Sequence, residues 1–281
     1  MRYIFLNLKR FDLPPVYGGV NRIAPFEKWG GAVVSAIQQG ITGYSDAAFA
    51  AFFPEMHLLT AAAAREEGSR LEIGSQGVSG TDLSPGGNFG ALTTSLPAAA
   101  AAAAGCSWTI IGHCEERNKL AAVLGAAGVD NPDAVGKVLG QEVKAAVNRG
   151  LKVLYCVGET EAQQPAWQET IRRQLDFGLR EAGDGELVIG YEPVWSIGPG
   201  KTPAGRDYIQ KIARFIKEET GGKPVVYGGG LKADNASMLR TIPEIDGGLI
   251  ALTGLPARSA SIRKNTWRLC GFTSAENEKG G

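Results

Sequence analysis

The sequence predicts an α/β fold, a closed (β/α)8 barrel in a single domain, and three observations carry that reading. Eight short apolar runs alternate with stretches of helical period over the 281 residues. The runs are near-continuously hydrophobic, as expected of parallel strands buried on both faces. The connections are mostly short, and nothing marks a domain boundary. Eight such units in this length favour a closed barrel over an open doubly wound sheet.

The first run, YIFLNL (3–8), is β-branched and aromatic. RFDLPPVYGGVNRIAPFEKWGG (10–31) follows as a long connecting segment, placed to line the mouth of a site at the strand ends. AAFAAFF (47–53) carries a weaker strand signal, because alanine is a poor strand former. HLLTAAAAREE (57–67) reads as helix and LEIGSQ (71–76) as the third strand. The alanines Ala98 to Ala104 after Pro97 read as a closely packed helix with proline at its first position. SWTIIG (107–112), LKVLYCV (151–157), ELVIGYE (186–192), KPVVYGG (223–229) and GGLIAL (247–252) complete the strands. Helical stretches cover 133–150, 167–183 and 206–222; the last two repeat apolar residues at three- and four-residue steps. Gly150, Gly183 and Gly221 sit where helix C-caps belong. The barrel is expected over residues 1–272, with 273–281 as a frayed tail.

Composition narrows the function. Lys+Arg and Asp+Glu both total 29, so no global field draws the chain to nucleic acid or an acidic membrane. Any anion must be recognised locally. The apolar run near the N-terminus, Tyr3 to Leu6, is too short for a secretory leader, and no later run reaches membrane-spanning length. A cytoplasmic protein with reduced thiols is expected, since Cys106, Cys114, Cys156 and Cys270 show no CxxC spacing. No metal is expected, because the only histidines, His57 and His113, are far apart in sequence.

In a barrel of this kind, chemistry collects at the C-terminal ends of the strands. The first strand ends with Asn7 and Lys9, whose i, i+2 spacing points both side chains one way. A lysine there calls for an anionic partner, or else snorkels to solvent as the strand exits. The fourth strand ends IIGHCEERN, which places His113 either to polarise a carbonyl and shuttle protons or to cap the next helix. The sixth ends GYEPVWSIGPGK: Glu192 lies at a strand end, before a stiff PVW and a glycine-spaced loop. A carboxylate beneath a loop that closes and excludes water is how a general base is made potent. The seventh strand ends in Gly228 to Gly230, whose bare N–H groups at a helix start suit an anion.

These motifs together resemble the triosephosphate isomerase family, from the first strand to the eighth. Asn7 and Lys9 match N-x-K, IIGHCE matches I-I-G-H-S-E, and Cys156 to Glu159 match C-x-G-E. Tyr191 to Lys201 match Y-E-P-V-W-A-I-G-T-G-K, and Tyr227 to Gly230 match Y-G-G-S. The resemblance implies a TIM barrel and an aldose–ketose isomerase that needs no cofactor. It implies Glu192 as the base, His113 as donor to the substrate oxygens, and Lys9 as positive charge beside the same oxyanion. Asn7 and Glu115 would order the lysine and the histidine. Loop 193–203 would close, with the phosphate held by Gly198, Gly230, Ala251 and Leu252.

The departures cluster on that anion site. Gly230 replaces a serine, and Ala251–Leu252 replace two glycines that let backbone approach the phosphate. Pro199 replaces a threonine in the lid tip, and Glu116 stands where arginine is usual. GNFGAL (87–92) differs from the family's dimer-forming G-A-F-T-G-E, so a homodimer with an altered interface is expected. Three functions remain at this point. One is interconversion of glyceraldehyde 3-phosphate and dihydroxyacetone phosphate. A second is isomerisation of another short sugar phosphate, such as an erythrulose phosphate, or of a differently charged sugar. The third is non-catalytic binding of a sugar phosphate. The complete set Asn7, Lys9, His113, Glu115 and Glu192 favours catalysis on a small phosphorylated sugar.

Overall fold

A computed structural model describes residues 2–198, 200–231 and 233–251. The strands are β1 (Arg2–Asn7), β2 (Ala47–Phe53), β3 (Leu71–Ser75), β4 (Trp108–Ile111), β5 (Lys152–Val157), β6 (Leu187–Tyr191), β7 (Val225–Tyr227) and β8 (Gly247–Ala251). They form a closed barrel in sequence order, every pair parallel, with β1 hydrogen-bonded to β8. The TIM barrel expected from the sequence is therefore the fold.

The helices are α1 (Trp29–Ile41), α2 (Leu58–Ala63), α3 (Ala98–Ala103), α4 (Cys114–Ala126), α5 (Pro132–Asn148), α6 (Trp167–Arg180), α7 (Arg206–Glu219) and α8 (Ala233–Arg240). They are not one to a strand among the described residues: β4 is followed by both α4 and α5.

Alternation along each strand sorts the apolar side chains into two cores. Phe5, Phe52, Trp108, Ile110, Leu154, Val188, Val226 and Leu249 fill the barrel. Their alternate neighbours, such as Ile4, Leu6, Phe49, Phe53, Val153 and Tyr155, face the helices. Inside, Phe5 meets Trp108 edge-on at 4.9 Å and Phe52 at 5.7 Å, a geometry favoured by the ring quadrupoles. The alanines of β2 form strand because both faces are buried, so close packing outweighs intrinsic propensity.

Three local expectations need correction. The helix after β2 was expected over 57–67 but spans only 58–63, preceded by a 3-10 turn at Glu55–His57. The side chain of Gln38 on α1 accepts the Glu66 N–H at 3.0 Å, so that donor does not extend the helix. Pro97 is the N-cap of α3, not its first residue, and Asp82 accepts the Ala99 N–H at 3.0 Å. Within the long 10–31 segment lie two 3-10 turns, Pro15–Tyr17 and Phe26–Lys28, and α1 already begins at Trp29. That segment is pinned by Asp12, fully buried, whose Oδ2 meets His57 Nε2 at 3.0 Å and Arg10 Nη2 at 2.7 Å. Phe26 and Trp29 pack on the His57 ring.

Cys106, Cys114 and Cys156 are free thiols; Cys270, Leu252, Pro199 and the 273–281 tail lie outside the described residues. Among the described residues no helix is long and apolar enough to cross a membrane.

Candidate active site

The ends of β1, β3, β4, β5 and β6 bring five of the expected residues into one chain of contacts. His113, just past β4, is the N-cap of α4, and its Nδ1 accepts the Glu115 N–H at 3.3 Å. That bond leaves the ring proton on Nε2, which points at Glu192 Oε1 from 3.1 Å. The capping reading and the strand-end reading of His113 thus use different ring nitrogens. Arg117 steadies the turn, donating from Nε to Gly112 O at 2.8 Å and from Nη2 to Cys156 O at 2.7 Å.

Glu192 follows β6, and its N–H donates to Val157 O at 2.8 Å. The residue is buried, and its Oε2 accepts the Cys114 N–H at 3.1 Å. Both carboxylate oxygens are therefore occupied, one by the histidine ring and one by the first turn of α4.

Lys9 does not sit where strand alternation would put it. β1 stops at Asn7, whose Oδ1 accepts the Lys9 N–H at 3.0 Å and turns the chain. Lys9 takes φ +42, a left-handed conformation unusual for a residue with a Cβ. Its Nζ donates to Glu115 Oε1 at 2.6 Å, which supplies the anionic partner in place of simple exposure to solvent. Glu115 Oε2 lies 3.9 Å from His113 Nδ1, so this carboxylate stands between lysine and histidine. Burial pushes the Glu115 carboxyl up, but the Lys9 hydrogen bond and charge, with a smaller contribution from His113, hold it below its ordinary value.

Three of the four expected phosphate residues are described. Gly198 has φ +121 and Gly230 φ +80, so both use backbone conformations that favour glycine. Gly230 follows β7, and its carbonyl accepts from Asn235 Nδ2 at 3.1 Å. Ala251 ends β8 in register with Asn7 of β1. Leu252 is beyond the described residues.

Two residues without an assigned role in the sequence reading complete the site. Gln76, directly after β3, donates to Lys9 O at 3.0 Å, Phe52 O at 3.2 Å and Asn7 Oδ1 at 3.3 Å. Its position at a strand end was the available signal. Glu159, fully buried after β5, accepts at Oε1 from Trp195 Nε1 at 2.7 Å, and from Tyr191 and Tyr208 hydroxyls at 3.1 Å each. Its backbone carbonyl takes the Val194 N–H at 3.0 Å, so one residue ties down the start of the 193–203 loop. Burial and the neighbouring Glu159 charge push the Tyr191 hydroxyl well above its usual value, keeping it a donor.

A family model described as triosephosphate isomerase matches residues 30–264. The chain belongs to the triosephosphate isomerase family. Curated relatives agree. A triosephosphate isomerase of Halorhodospira halophila is 38% identical over 206 residues, covering 68% of this chain and 75% of that one. One from Chlorobium luteolum is 33% identical over 238 residues, 80% of this chain and 86% of that one. The crystal structure of triosephosphate isomerase from Bartonella henselae superposes with a TM-score of 0.67 at 24% identity, over 96% and 97% of the two chains, and supports the fold. As a triosephosphate isomerase family member the chain is an isomerase. Its first strand, with Asn7 and Lys9, precedes the matched span, so their membership of the site rests on the contacts with Glu115 and Gln76.

Proposed function

We propose that this chain interconverts glyceraldehyde 3-phosphate and dihydroxyacetone phosphate by proton transfer through an enediolate. Glu192 takes the proton from the carbon next to the carbonyl, and the C–H electron pair moves to form the enediolate C=C while the carbonyl oxygen becomes anionic. His113 Nε2–H donates to the substrate oxygens, and the Lys9 ammonium offsets the developing charge. Glu192 then returns the proton to the former carbonyl carbon, while His113 passes the neighbouring hydroxyl's proton to the former carbonyl oxygen and the electron pair left behind forms the new C=O, so no redox partner or cofactor enters. Asn7, Gln76 and Glu115 position the lysine, and Glu115 with the α4 cap fixes the histidine tautomer. The phosphate is assigned to Gly198, Gly230, Ala251 and Leu252, and the 193–203 loop to closure over it.

The observation that carries this reading is the buried Glu192 carboxylate facing His113 Nε2 at 3.1 Å where β4 and β6 end. A substrate entering there must take over the hydrogen bonds that the two side chains now give each other. The test is the interconversion rate of the two triose phosphates, with Glu192→Gln as blank. A kcat/KM approaching about 10⁸ M⁻¹s⁻¹ that collapses in the blank supports the reading. A rate unchanged by Glu192→Gln overturns it.

We also infer a homo-oligomer, a dimer in the simplest case. Exposed Val16, Tyr17 and Val20 follow β1, Met56 and Leu59 follow β2, and Phe89, 95% exposed, follows β3. Large apolar side chains gathered in three successive strand-end segments favour a covered surface. Light scattering on the purified chain decides it, a monomeric mass at micromolar concentration being the contrary result.

A further inference from the structure

The expectation of no metal rested on two distant histidines, yet a mixed ligand set needs only one. A ring nitrogen of His113, Cys114 Sγ and a carboxylate oxygen of Glu192 lie within 4.8 Å of one another. His113 and Glu192 are buried, and Cys114 is half-buried, so a small ion has an approach. We propose that these three side chains form a site for a thiophilic divalent cation of the zinc type, and that loading it silences the isomerase. The binding half stands on this geometry; the silencing half rests on Glu192 being the base, as proposed above.

Thiolate, imidazole and carboxylate are all donors zinc accepts, and three protein ligands leave a fourth position for water. With bonds of about 2.0 to 2.3 Å, tetrahedral zinc holds its ligands roughly 3.3 to 3.8 Å apart. Here His113 Nε2 lies 3.1 Å from Glu192 Oε1, and one ring nitrogen, the sulfur and a carboxylate oxygen all fall within 4.8 Å of one another. Side-chain shifts of about 1 Å therefore close the trio around an ion. The sulfur sets the selectivity, since magnesium and calcium prefer oxygen ligands.

Binding changes no oxidation state. The Cys114 S–H bond breaks, its proton leaves to solvent, and a sulfur–metal bond forms; His113 and Glu192 contribute lone pairs. A Glu192 oxygen committed to the ion cannot accept a substrate proton. Burial, with the charge of Glu192 beside it, pushes the free Cys114 thiol up to about 12, so without an ion it stays protonated.

Cobalt(II) added to the purified full chain is the direct probe. A thiolate-to-cobalt charge-transfer band with one equivalent bound is expected, displaced by zinc, lost in Cys114→Ser and in Cys114→Ala. Cys106→Ser, before β4 at the opposite end of that strand, should keep the band. In parallel, zinc should lower triose phosphate turnover by about tenfold or more, reversibly with chelator, and Cys114→Ser should need at least about tenfold more zinc. No band in the parent, or an equal band in both Cys114 variants, overturns the site. Inhibition equally strong in Cys114→Ser overturns the silencing. A Cys114-dependent band on a chain without isomerase activity leaves the site standing and removes the proposed function instead.

Discussion

At Glu192 the carboxylate is held by two donors, His113 Nε2 and the Cys114 N–H, before any substrate arrives. In the proposed mechanism such a base must be reachable yet aimed to within a fraction of an ångström. Glu192→Asp withdraws it by one methylene, and a misplacement of that size should lower kcat by about 100-fold with little change in KM. Steady-state kinetics on both triose phosphates check this, and a mutant as fast as the parent removes Glu192 from the mechanism. Gln76 offers a positioning test at the same scale. Its amide joins Asn7, Phe52 and Lys9, so Gln76→Ala should unfasten the turn that carries the lysine. The expected readout is a raised KM with the pH profile of the reaction unchanged, because no titrating group is removed. That Glu192 and His113 lie at strand ends was legible in sequence because each stands directly after a hydrophobic run, where strand becomes loop. Lys9 was found at the right strand but for an incomplete reason. Alternation aimed it with Asn7, whereas the Asn7 carboxamide bends the chain and Lys9 leaves in a left-handed turn.

Among the elements, strands were the easiest to read, since burial on both faces makes each a continuous apolar run. The helix after β2 was read too long, because its end is set by Gln38 reaching across from another helix, a contact no local window contains. α4 has no periodic signature at all: none of its residues is buried, and His113 and Arg117 fasten its start. Glu159 was visible only as part of a motif; its work depends on Tyr191, Trp195 and Tyr208 arriving from elsewhere in the chain. Glu159→Ala leaves those three donors without an acceptor and should cost about 3 kcal/mol or more. It should also loosen the loop that starts at Pro193, raising KM, whereas Glu159→Gln keeps a carbonyl acceptor and should lose less on both counts. Denaturant melts and kinetics of the pair decide; equal losses would mean the carboxylate charge matters and the hydrogen bonds do not. The 10–28 segment is fastened in the same manner by the buried Asp12 carboxylate. Asp12→Ala leaves the buried His57 Nε2 without its hydrogen-bond partner and should destabilise by about 1 to 3 kcal/mol, measured by chemical denaturation. A loss below about 1 kcal/mol would show the segment is held by its aromatic packing alone.

For the molecule as a whole, stability should depend on pH through Glu116 and Glu142. Glu116 turns inward, where its Oε2 accepts the Gly112 N–H at 2.6 Å, and it shares a hydrogen bond with Glu142. Burial first, and for Glu142 the facing Glu116 charge, raise both carboxyls above their ordinary values, against the nearby Arg117 and Lys119 charges. The folded chain therefore binds more protons than the unfolded chain over the interval between the ordinary and raised values. Stability must fall as pH climbs through that interval. Glu142→Gln keeps a hydrogen-bonding amide without the charge, so it should raise the melting temperature at pH 8 by more than at pH 5.5. Equal shifts at the two pH values would discard the coupled carboxyls as the cause. Barrel closure adds a constraint of another kind. β1 has β2 as one neighbour from early on, but its other edge pairs only with β8, Tyr3 opposite Gly247 through Asn7 opposite Ala251. A chain emerging from a ribosome thus makes the strand that leads into Lys9 first and secures it last. Until residue 251 is clear of the exit tunnel, both ends of the sheet are open edges, and a message truncated before β8 yields a sticky, inactive sheet in place of a slower enzyme.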